Sequence, residues 1–333
     1  MDRGTAPRQR EEIANRFVVR AAGLAPSVHN TQPWYFTSDQ GVISLYADPS
    51  RGLPEEDPAG RELVISCGAA LGNLTLAVRH LGFTANVRLL PDISRRGLLS
   101  EVRWGRYAAP TPYEELLYRS IGRRHTHRGP FAGELPPLVA DELVRVARHE
   151  RADLHVIYNA DRQADLANLV ALAEQAQRDD PRIAAEREHW ARLRGDSRPD
   201  GVPVVPVPCR WDGPGFAGRD LSPAAETGSV SLYSPDEPRE AGLVALLSTR
   251  DDRRPGWLLA GQALQRLLLH AAARGVGSAF HTQPLEIPEI REWIRADFTG
   301  GAYPQVLLRF GCGGYPVKSP RRPVSEFLDV SGR

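Results

Sequence analysis

Apolar residues recur at helical spacing in two stretches of the chain that lie 193 positions apart. The segment GAALGNLTLAVRHLG (68–82) aligns with GQALQRLLLHAAARG (261–275), so that the glycine at each end and four apolar positions coincide. Both segments are apolar around most of a helix and end on a glycine suited to a helix C-terminus. We predict two buried, duplicated helices. The alternative is that two unrelated core helices rich in Leu and Ala look alike.

Short apolar runs flank both helices and have the length and composition of strands. Around the first helix they are 42–46, 87–90 and 99–104, and around the second they are 155–158, 243–247 and 306–310. A helix at 11–23 and a strand that begins at Trp34 precede them. The pattern predicts two α+β halves, residues 1–115 and 116–333, that pack as a pseudo-dimer inside one chain.

Composition and charge exclude several classes of protein. The 333 residues are 41% hydrophobic, and 42 basic against 41 acidic residues give a net charge of +1, which does not favour nucleic acid or an anionic membrane as a partner. The longest uncharged run, 63–78, is shorter than the ~20 apolar residues of a membrane span. The first residues are charged and do not resemble a secretory signal, so we predict a cytoplasmic protein.

Several kinds of catalytic and metal site are also absent from the sequence. The three cysteines, Cys67, Cys209 and Cys312, have no CxxC spacing, which argues against a disulfide framework or a zinc site. Lys318 is the only lysine, so no GxxxxGK phosphate loop exists, and neither GxSxG nor HExxH occurs. The run GVGSAF lacks the third glycine of a dinucleotide-binding fingerprint.

The segment APSVHNTQPW (25–34) has the composition of a rigid polar loop. Pro26 and Pro33 restrict the backbone, while Ser27, Asn30 and Gln32 offer short donors and acceptors to a flat ligand with a polar edge. The alternative interpretation is an ordinary turn between a helix and a strand, because Pro, Ser and Asn are common in turns for conformational reasons.

A second polar segment, IGRRHTHRGPF (121–131), combines cations with a hydroxyl. Arg124, His125, Thr126 and Arg128 supply guanidinium, imidazole and hydroxyl donors, and guanidinium groups bind phosphate through two parallel hydrogen bonds. The alternatives are a solvated charge cluster, or a metal pair of His125 and His127 whose further ligands are not evident.

Together these segments resemble the FMN-binding nitroreductase family, and most closely its Acg-like subgroup, in which two halves are fused. DPAGRELVISCGAALGNL, GQALQRLLLHAAARG and PRRPV are similar as well, so the resemblance covers residues 14–328. It assigns the following residues to FMN binding: Pro26, Ser27, Val28, His29, Asn30, Gln32, Arg124, His125, Thr126, Arg128, Phe280, His281, Thr282, Gln283, Lys318, Arg321 and Arg322.

The resemblance also implies a role for each group of residues. The loop from Ser27 to Gln32 would fix the flavin ring, and the segment from Phe280 to Gln283 would pass its N5 atom. Arg124 would hold the phosphate, with help from the basic residues near the C-terminus, which could instead form a surface tail. Arg128 would stabilise negative charge at N1 and O2 of the reduced ring. His281 could alternatively be a buried structural histidine.

The phosphate motif and the polar loop each occur once, which predicts one FMN per chain and a lost reciprocal site. The resemblance then implies an oxidoreductase that uses flavin N5 for hydride or electron transfer to a quinone or nitro compound, without a metal or an acid-base side chain. The alternatives are flavin storage with little NAD(P)H-dependent turnover, or a structural protein without flavin. Because the internal pseudo-dimer already buries the family's dimer interface, we expect a monomer.

One segment departs from regular structure. Residues 195–218 contain five Pro and five Gly, and the two aromatic residues Trp211 and Phe216 argue against simple disorder. In the Acg-like subgroup a lid covers the flavin, and the region at about 195–225 is the candidate for it. The alternative is a surface excursion that packs elsewhere.

Overall fold

The computed structural model describes residues 5–128, 131, 135–193, 195–203, 216, 242–313 and 319–330. The helices are α1 (Thr5–Ala22), α2 (Arg61–His80), α3 (Pro112–Ser120), α4 (Pro137–His149), α5 (Ala160–Asp179), α6 (Pro181–Trp190), α7 (Arg254–Ala273), α8 (Gln283–Glu286) and α9 (Pro288–Phe298). The strands are β1 (Trp34–Asp39), β2 (Val42–Ala47), β3 (Phe83–Leu89), β4 (Leu98–Tyr107), β5 (Asp153–Ile157), β6 (Ala191–Arg192), β7 (Val202–Pro203), β8 (Leu243–Thr249), β9 (Gly277–Phe280), β10 (Tyr303–Gly311) and β11 (Leu328–Asp329).

The two halves repeat one strand order. The first sheet contains β1-β2-β4-β3 and the second contains β5-β8-β10-β9, and all neighbours in these two runs are antiparallel. In each half the central helix, α2 or α7, follows the second strand and precedes the third. The first sheet gains a fifth strand from the C-terminal segment, because β11 pairs in parallel with β1. The C-terminal segment therefore returns to the first half.

The duplicated helices α2 and α7 cross at their matched glycines. A Cβ atom on Gly68 would lie 2.4 Å from the carbonyl oxygen of Leu258, and one on Gly261 would lie 2.0 Å from that of Ile65. Ile65 and Leu258 are themselves 193 residues apart, so the two contacts are reciprocal. Reciprocal contacts between equivalent residues are what a two-fold interface requires. The helices thus form the interface of an internal pseudo-dimer, as the repeat predicts.

Helix α2 has the length and hydropathy of a membrane span, and it alone does so among the described helices. The uncharged run 63–78 is too short for a membrane span, but the helix reaches 20 residues because charged and polar residues extend it at both ends. However, 72% of the apolar window is buried inside the fold. Its hydropathy is explained by its central position between α1, α3 and α7.

The two sheets differ in how they are covered. Strand β1 alternates buried and half-buried residues, whereas β8 and β10 are buried along almost their whole length. In the second sheet Ala245 and Leu308 pack towards α7, while Leu246 and Leu307 pack with residues of α5 and α9 and with Phe216. A sheet covered on both faces has continuous apolar strands.

The predicted boundary between the halves and the predicted lid each meet the structure in part. Helix α3 runs through residues 115 and 116, so the division between the halves falls within a helix and stays a proposal. Of the lid candidate at 195–225, the structure describes 195–203 and Phe216. Phe216 is buried in the core cluster that also contains Leu246 and Leu307. Trp211 lies outside the described residues.

Candidate functional site

The loop between α1 and β1, residues 23–33, holds three non-glycine residues in the left-handed region. The φ angles are 47° at His29, 56° at Asn30 and 53° at Gln32. This conformation is unfavourable for residues with a Cβ atom and persists only where the surroundings enforce it. All three side chains are buried, with Gln32 fully inaccessible. Pro26 is buried at the start of the loop, and Val28 lies half-buried in its 3₁₀ turn.

Hydrogen bonds tie this loop to two other segments. The Ser27 hydroxyl accepts from the Gln32 N–H at 2.9 Å. Asn30 Nδ2 donates to the carbonyls of Gly201 and Pro320, both at 3.0 Å. Gln32 Nε2 donates to the carbonyl of Pro199 at 2.9 Å. In this structure the amides of Asn30 and Gln32 therefore bind the chain's own backbone, and their contact with a flavin ring stays a prediction.

Three arginines gather beside the loop. Arg321 donates from Nη1 to Asn30 Oδ1 at 2.8 Å and from Nη2 to the carbonyl of Ala25 at 3.3 Å. Burial and the charges of Arg321 and Arg128 lower the pKa of Arg124 to about 9. Burial and Arg128 lower that of Arg321 to about 10. Three cations thus repel one another at a half-buried point of the fold.

Arg124 has unsatisfied donors at this point. Its Nε and Nη1 atoms are buried and have no hydrogen-bond partner among the described residues. A buried donor without a partner costs free energy, and a buried charge without a counter-charge costs more. An anion with several acceptor oxygens would satisfy both requirements. The arrangement therefore makes this point of the fold a candidate anion-binding site.

The other predicted residues of the second segment lie beside β9. Thr126 forms an isolated parallel bridge with Ser278, and the His127 N–H donates to the Ser278 carbonyl at 2.7 Å. The His125 ring is 3.2 Å from the carbonyl oxygen of Arg123, within its own turn. The phosphate-type segment is thus held next to the strand that ends at Phe280.

The residues after β9 begin a short helix and contact a buried arginine. Arg309 Nε donates to His281 Nε2 at 2.9 Å, and its guanidinium lies 5.3 Å from the Phe131 ring and 5.5 Å from the Phe216 ring. Burial lowers the pKa of Arg309 to about 10. Thr282 precedes α8, which opens at the fully buried Gln283. Arg309 was not among the predicted site residues.

The predicted C-terminal residues take different places. Arg321 joins the arginine cluster, whereas Arg322 donates to the Gln32 carbonyl at 3.3 Å and to a carboxylate oxygen of Glu326 at 3.2 Å. Arg322 thus closes the C-terminal segment onto the loop, and its contact with a phosphate stays a prediction. Lys318 lies outside the described residues.

A buried chain of polar side chains connects the loop to α8. His29 Nε2 contacts one carboxylate oxygen of Glu56, and Arg187 Nε donates to the other. Arg187 Nη1 donates to Glu174 Oε1 at 3.2 Å, and Gln283 Nε2 donates to Glu174 Oε2 at 3.3 Å. Sequence reasoning missed Glu56, Arg187 and Glu174. No local pattern could reveal them, because the partners lie 13 to 131 residues apart.

Metal and thiol chemistry find no support in the part of the chain that the structure describes. No group of three or more His, Cys, Asp or Glu residues there could hold a metal ion. Cys67 is fully buried and donates to the Pro33 carbonyl at 3.2 Å, and burial raises the pKa of its thiol. A buried thiol with a raised pKa is a structural group rather than a nucleophile.

Comparison with known proteins finds relatives that span most of the chain. No family model matches the chain. Two Mycobacterium tuberculosis proteins named "Putative NAD(P)H nitroreductase" are similar to it over nearly their whole length. Rv3131 is 32% identical over 333 residues, which cover 94% of this chain and 90% of the relative. Acg is 29% identical over 323 residues, which cover 95% of both chains.

A solved structure shares the fold across almost the whole chain. It is a "putative nitroreductase" from Anabaena variabilis, which aligns with a TM-score of 0.54 at 10% identity and covers 94% of this chain and 90% of its own. The fold is therefore the α+β nitroreductase-like fold, present as two tandem halves in one chain. With the 32% identity to a full-length relative, this chain belongs to the nitroreductase family.

Proposed function

We propose that this protein is an FMN-binding oxidoreductase with one flavin per chain. The observation that carries the proposal is the half-buried Arg124, whose buried Nε and Nη1 atoms have no hydrogen-bond partner among the described residues and whose neighbours are two further arginines. A terminal phosphate would supply the acceptor oxygens and the negative charge that this cluster lacks. The cluster adjoins the loop that the family resemblance assigns to the flavin ring.

The residues divide the work of binding by their positions. Arg124 and Arg321 would hold the phosphate, the backbone of loop 25–33 would border the ring, and Phe280 to Thr282 would border its opposite edge. Arg128 would favour negative charge on the bound group, because a buried cation stabilises charge in low dielectric. Bound FMN supplies the hydride and electron transfer chemistry. We propose a small quinone or nitro compound as the acceptor.

The donor is proposed from the relatives. Both carry names that state NAD(P)H nitroreductase activity, so NADH or NADPH is the first donor to test. We also propose a monomer, since the interface between α2 and α7 already lies within the chain.

The test begins with the visible absorption spectrum of the purified protein. We expect a yellow protein with one FMN per chain, whose absorption bleaches when NADH or NADPH is added without oxygen. A colourless protein that rejects added FMN would contradict the proposal.

A second candidate function is flavin storage, and one observation favours it. Residues 199–201 lie against the loop and accept hydrogen bonds from the amide groups of Asn30 and Gln32, so they would cover part of the proposed site. A covering segment would hinder the entry of a nicotinamide. A protein that binds one FMN but stays yellow with both NADH and NADPH supports storage over turnover.

A further inference from the structure

The second half carries an arm that the first half lacks. Between β5 and β8 the chain builds α5, α6 and the segment up to β7, whereas the equivalent strands β1 and β2 are joined by Gln40 and Gly41 alone. We call residues 160–193 and 195–203 the inserted arm. The arm contacts the first half through Arg51, which forms an ion pair with Asp200 and lies 5.4 Å from the Trp190 ring.

Arg187 is the arm's buried cation and lies between carboxylates of two different elements. Its guanidinium donates to Glu56, to Glu174 and to the side-chain oxygen of Gln177. The Arg187 side chain is 5% exposed, that of Glu56 1% and that of Glu174 6%. The three acceptors are reached by three different nitrogen atoms of the planar guanidinium, a fixed fork of donors that the compact ammonium group of lysine does not reproduce.

Each carboxylate in turn contacts one of two segments, loop 25–33 or residues 281–287, which include α8; we call these the two loops. Glu56 contacts the His29 ring, whose backbone is in the left-handed region, and Glu174 accepts from Gln283 at the start of α8. Buried carboxylates are tolerated where they are paired and hydrogen-bonded, so moving either loop alone would disrupt a buried ion pair. The network therefore penalises independent motion of the two loops.

We propose that Arg187 is a positioning residue that couples loop 25–33 to residues 281–287 through this buried network. The inference rests on the proposed function, because loop 25–33 and residues 281–282 are assigned there to the two edges of the flavin. Arg187 itself lies in the arm and reaches the loops through Glu56 and Glu174. Its effect on the site is thus exerted by holding the distance and orientation between two binding segments.

The first test measures how fast the backbone amides of the two loops exchange when no flavin is present. Hydrogen–deuterium exchange is compared for the apoprotein and its Arg187→Gln variant. We expect amide exchange to become about tenfold faster or more in both loops, 25–33 and 281–287, with no change in α2 and α7. The matched control is Arg182→Gln in the same helix, because that side chain is 75% exposed and its carboxylate neighbours are 3.9 Å away. The control should exchange like the unchanged protein.

The second test measures the consequence for binding. FMN fluorescence quenching should give a Kd at least tenfold weaker for Arg187→Gln, equivalent to 1.4 kcal/mol. The visible circular dichroism of bound FMN at saturation should also change, since a displaced loop alters the ring's surroundings. A purely structural residue would lower the melting temperature and leave the Kd and the dichroism of the folded protein unaltered. Arg187→Lys should restore the binding in part.

Several outcomes would overturn the inference. Exchange that rises only within α6, or a Kd and dichroism within twofold of the unchanged protein, would do so. If Arg187→Gln does not fold, Glu56→Gln replaces it, with the same rise in both loops expected and a rise in one loop alone counting against the coupling. If the unchanged protein binds no FMN, the proposed function fails, and the exchange experiment still decides whether the loops are coupled.

Discussion

Two equivalent loops show how the halves have diverged. The loop between α1 and β1 has eleven residues, 23–33, while the loop between α4 and β5 has three, 150–152. Around them the strand order and the crossing of the central helices are the same in both halves. Both halves have kept the framework that their packing needs, but only the first half has the polar loop. A duplicated fold can thus carry a single site, because function belongs to the site rather than to the fold.

The halves also differ in what covers their sheets, and here the second half has the additional element. The second half has the short loop but also the inserted arm, whose helix α5 covers one face of the second sheet. The arm then reaches across to the first half's loop through Arg187 and through residues 199–201. The half without the polar loop therefore supplies the elements that hold it.

The strongest test of the shared framework is a methyl group at the helix crossing. Gly261→Ala places a Cβ atom 2.0 Å from the Ile65 carbonyl oxygen, and Gly68→Ala places one 2.4 Å from that of Leu258. Because both neighbours are backbone atoms, the helices must separate. We expect each variant to lose ~3 kcal/mol of stability, measured by denaturant unfolding, as for an overpacked core.

The control for this prediction lies one turn away on α2. A Cβ atom on Gly72 would meet its nearest neighbour, the Gln265 Cβ atom, at an ordinary 3.5 Å. Gly72→Ala should therefore be neutral or slightly stabilising, given alanine's ~1 kcal/mol higher helix propensity. If only one of the two crossing glycines is sensitive, the reciprocal contact is not an equal one and the comparison of the halves weakens.

The framework could be predicted because it repeats in the sequence. Gly68 and Gly261 coincide in the alignment of the two segments, and they lie at the crossing because only glycine allows that approach. All six apolar runs fall on strands, although Leu90 and Tyr158 lie one residue beyond the ends of β3 and β5. Helix α1 begins at Thr5, earlier than predicted, in a stretch whose polar residues do not show helical periodicity.

The candidate site could be predicted only in part. The arginine motif and the polar loop are visible as local sequence, and Arg124, Arg321 and Asn30 do come together. The positive φ angles of the loop and the partners of Arg187 are not visible, because they depend on contacts between distant segments. The return of β11 to the first sheet is likewise too short, at two residues, to have a pattern.

Replacement of Arg124, which lies beside the long loop, should weaken flavin binding without weakening the packing of the fold. Arg124→Met keeps the bulk and removes a buried charge that repels two others. We expect FMN affinity to fall about 10- to 100-fold, since hydrogen bonds to charged groups contribute ~1.5–3 kcal/mol, while the apoprotein becomes more stable. Fluorescence titration and thermal unfolding measure the two effects.

The neighbouring Arg123 provides the matched control, because its side chain is exposed. Arg123→Met should leave both FMN affinity and stability nearly unchanged. Riboflavin, which lacks the phosphate, should bind Arg124→Met about as well as it binds the unchanged protein. An equal loss for riboflavin and FMN would place Arg124 away from the phosphate and contradict the proposed role.

The dependence of stability on pH gives a smaller effect. The pKa values of Arg124 and Arg321, about 9 and about 10, lie below the ordinary 12.5, so the unfolded chain binds more protons than the folded one above pH ~9. The stability contributed by these groups should therefore rise with pH through this range. The advantage of Arg124→Met over the unchanged apoprotein should accordingly shrink from pH 7 to pH 10.

Sulfate should bind at neutral pH where the phosphate is proposed to bind. At a concentration about five times its Kd, it should stabilise the unchanged apoprotein by ~1 kcal/mol more than Arg124→Met. The variant also corrects for the general effect of sulfate on protein surfaces. Equal stabilisation of both proteins would mean that the arginines do not form an anion site.

The smallest effect is expected in the short loop, 150–152. Its left-handed residue has no side-chain hydrogen bond or ion pair with the described residues, whereas the left-handed Gln32 of the long loop has such hydrogen bonds. Arg151 has a φ of 59° and an exposed side chain, whereas Gln32 has a φ of 53° and side-chain hydrogen bonds to Pro199 and Arg322. Glycine relieves the left-handed conformation but raises the entropy of the unfolded chain. For Arg151→Gly these terms nearly cancel, and we expect a change within about 0.5 kcal/mol and unaltered FMN binding. Gln32→Gly also removes the part-buried hydrogen bonds to Pro199 and Arg322, so it should weaken FMN binding and cost about 1–3 kcal/mol in denaturant unfolding. Equal effects at the two positions would show that the long loop is no more constrained by its partners than the three-residue turn.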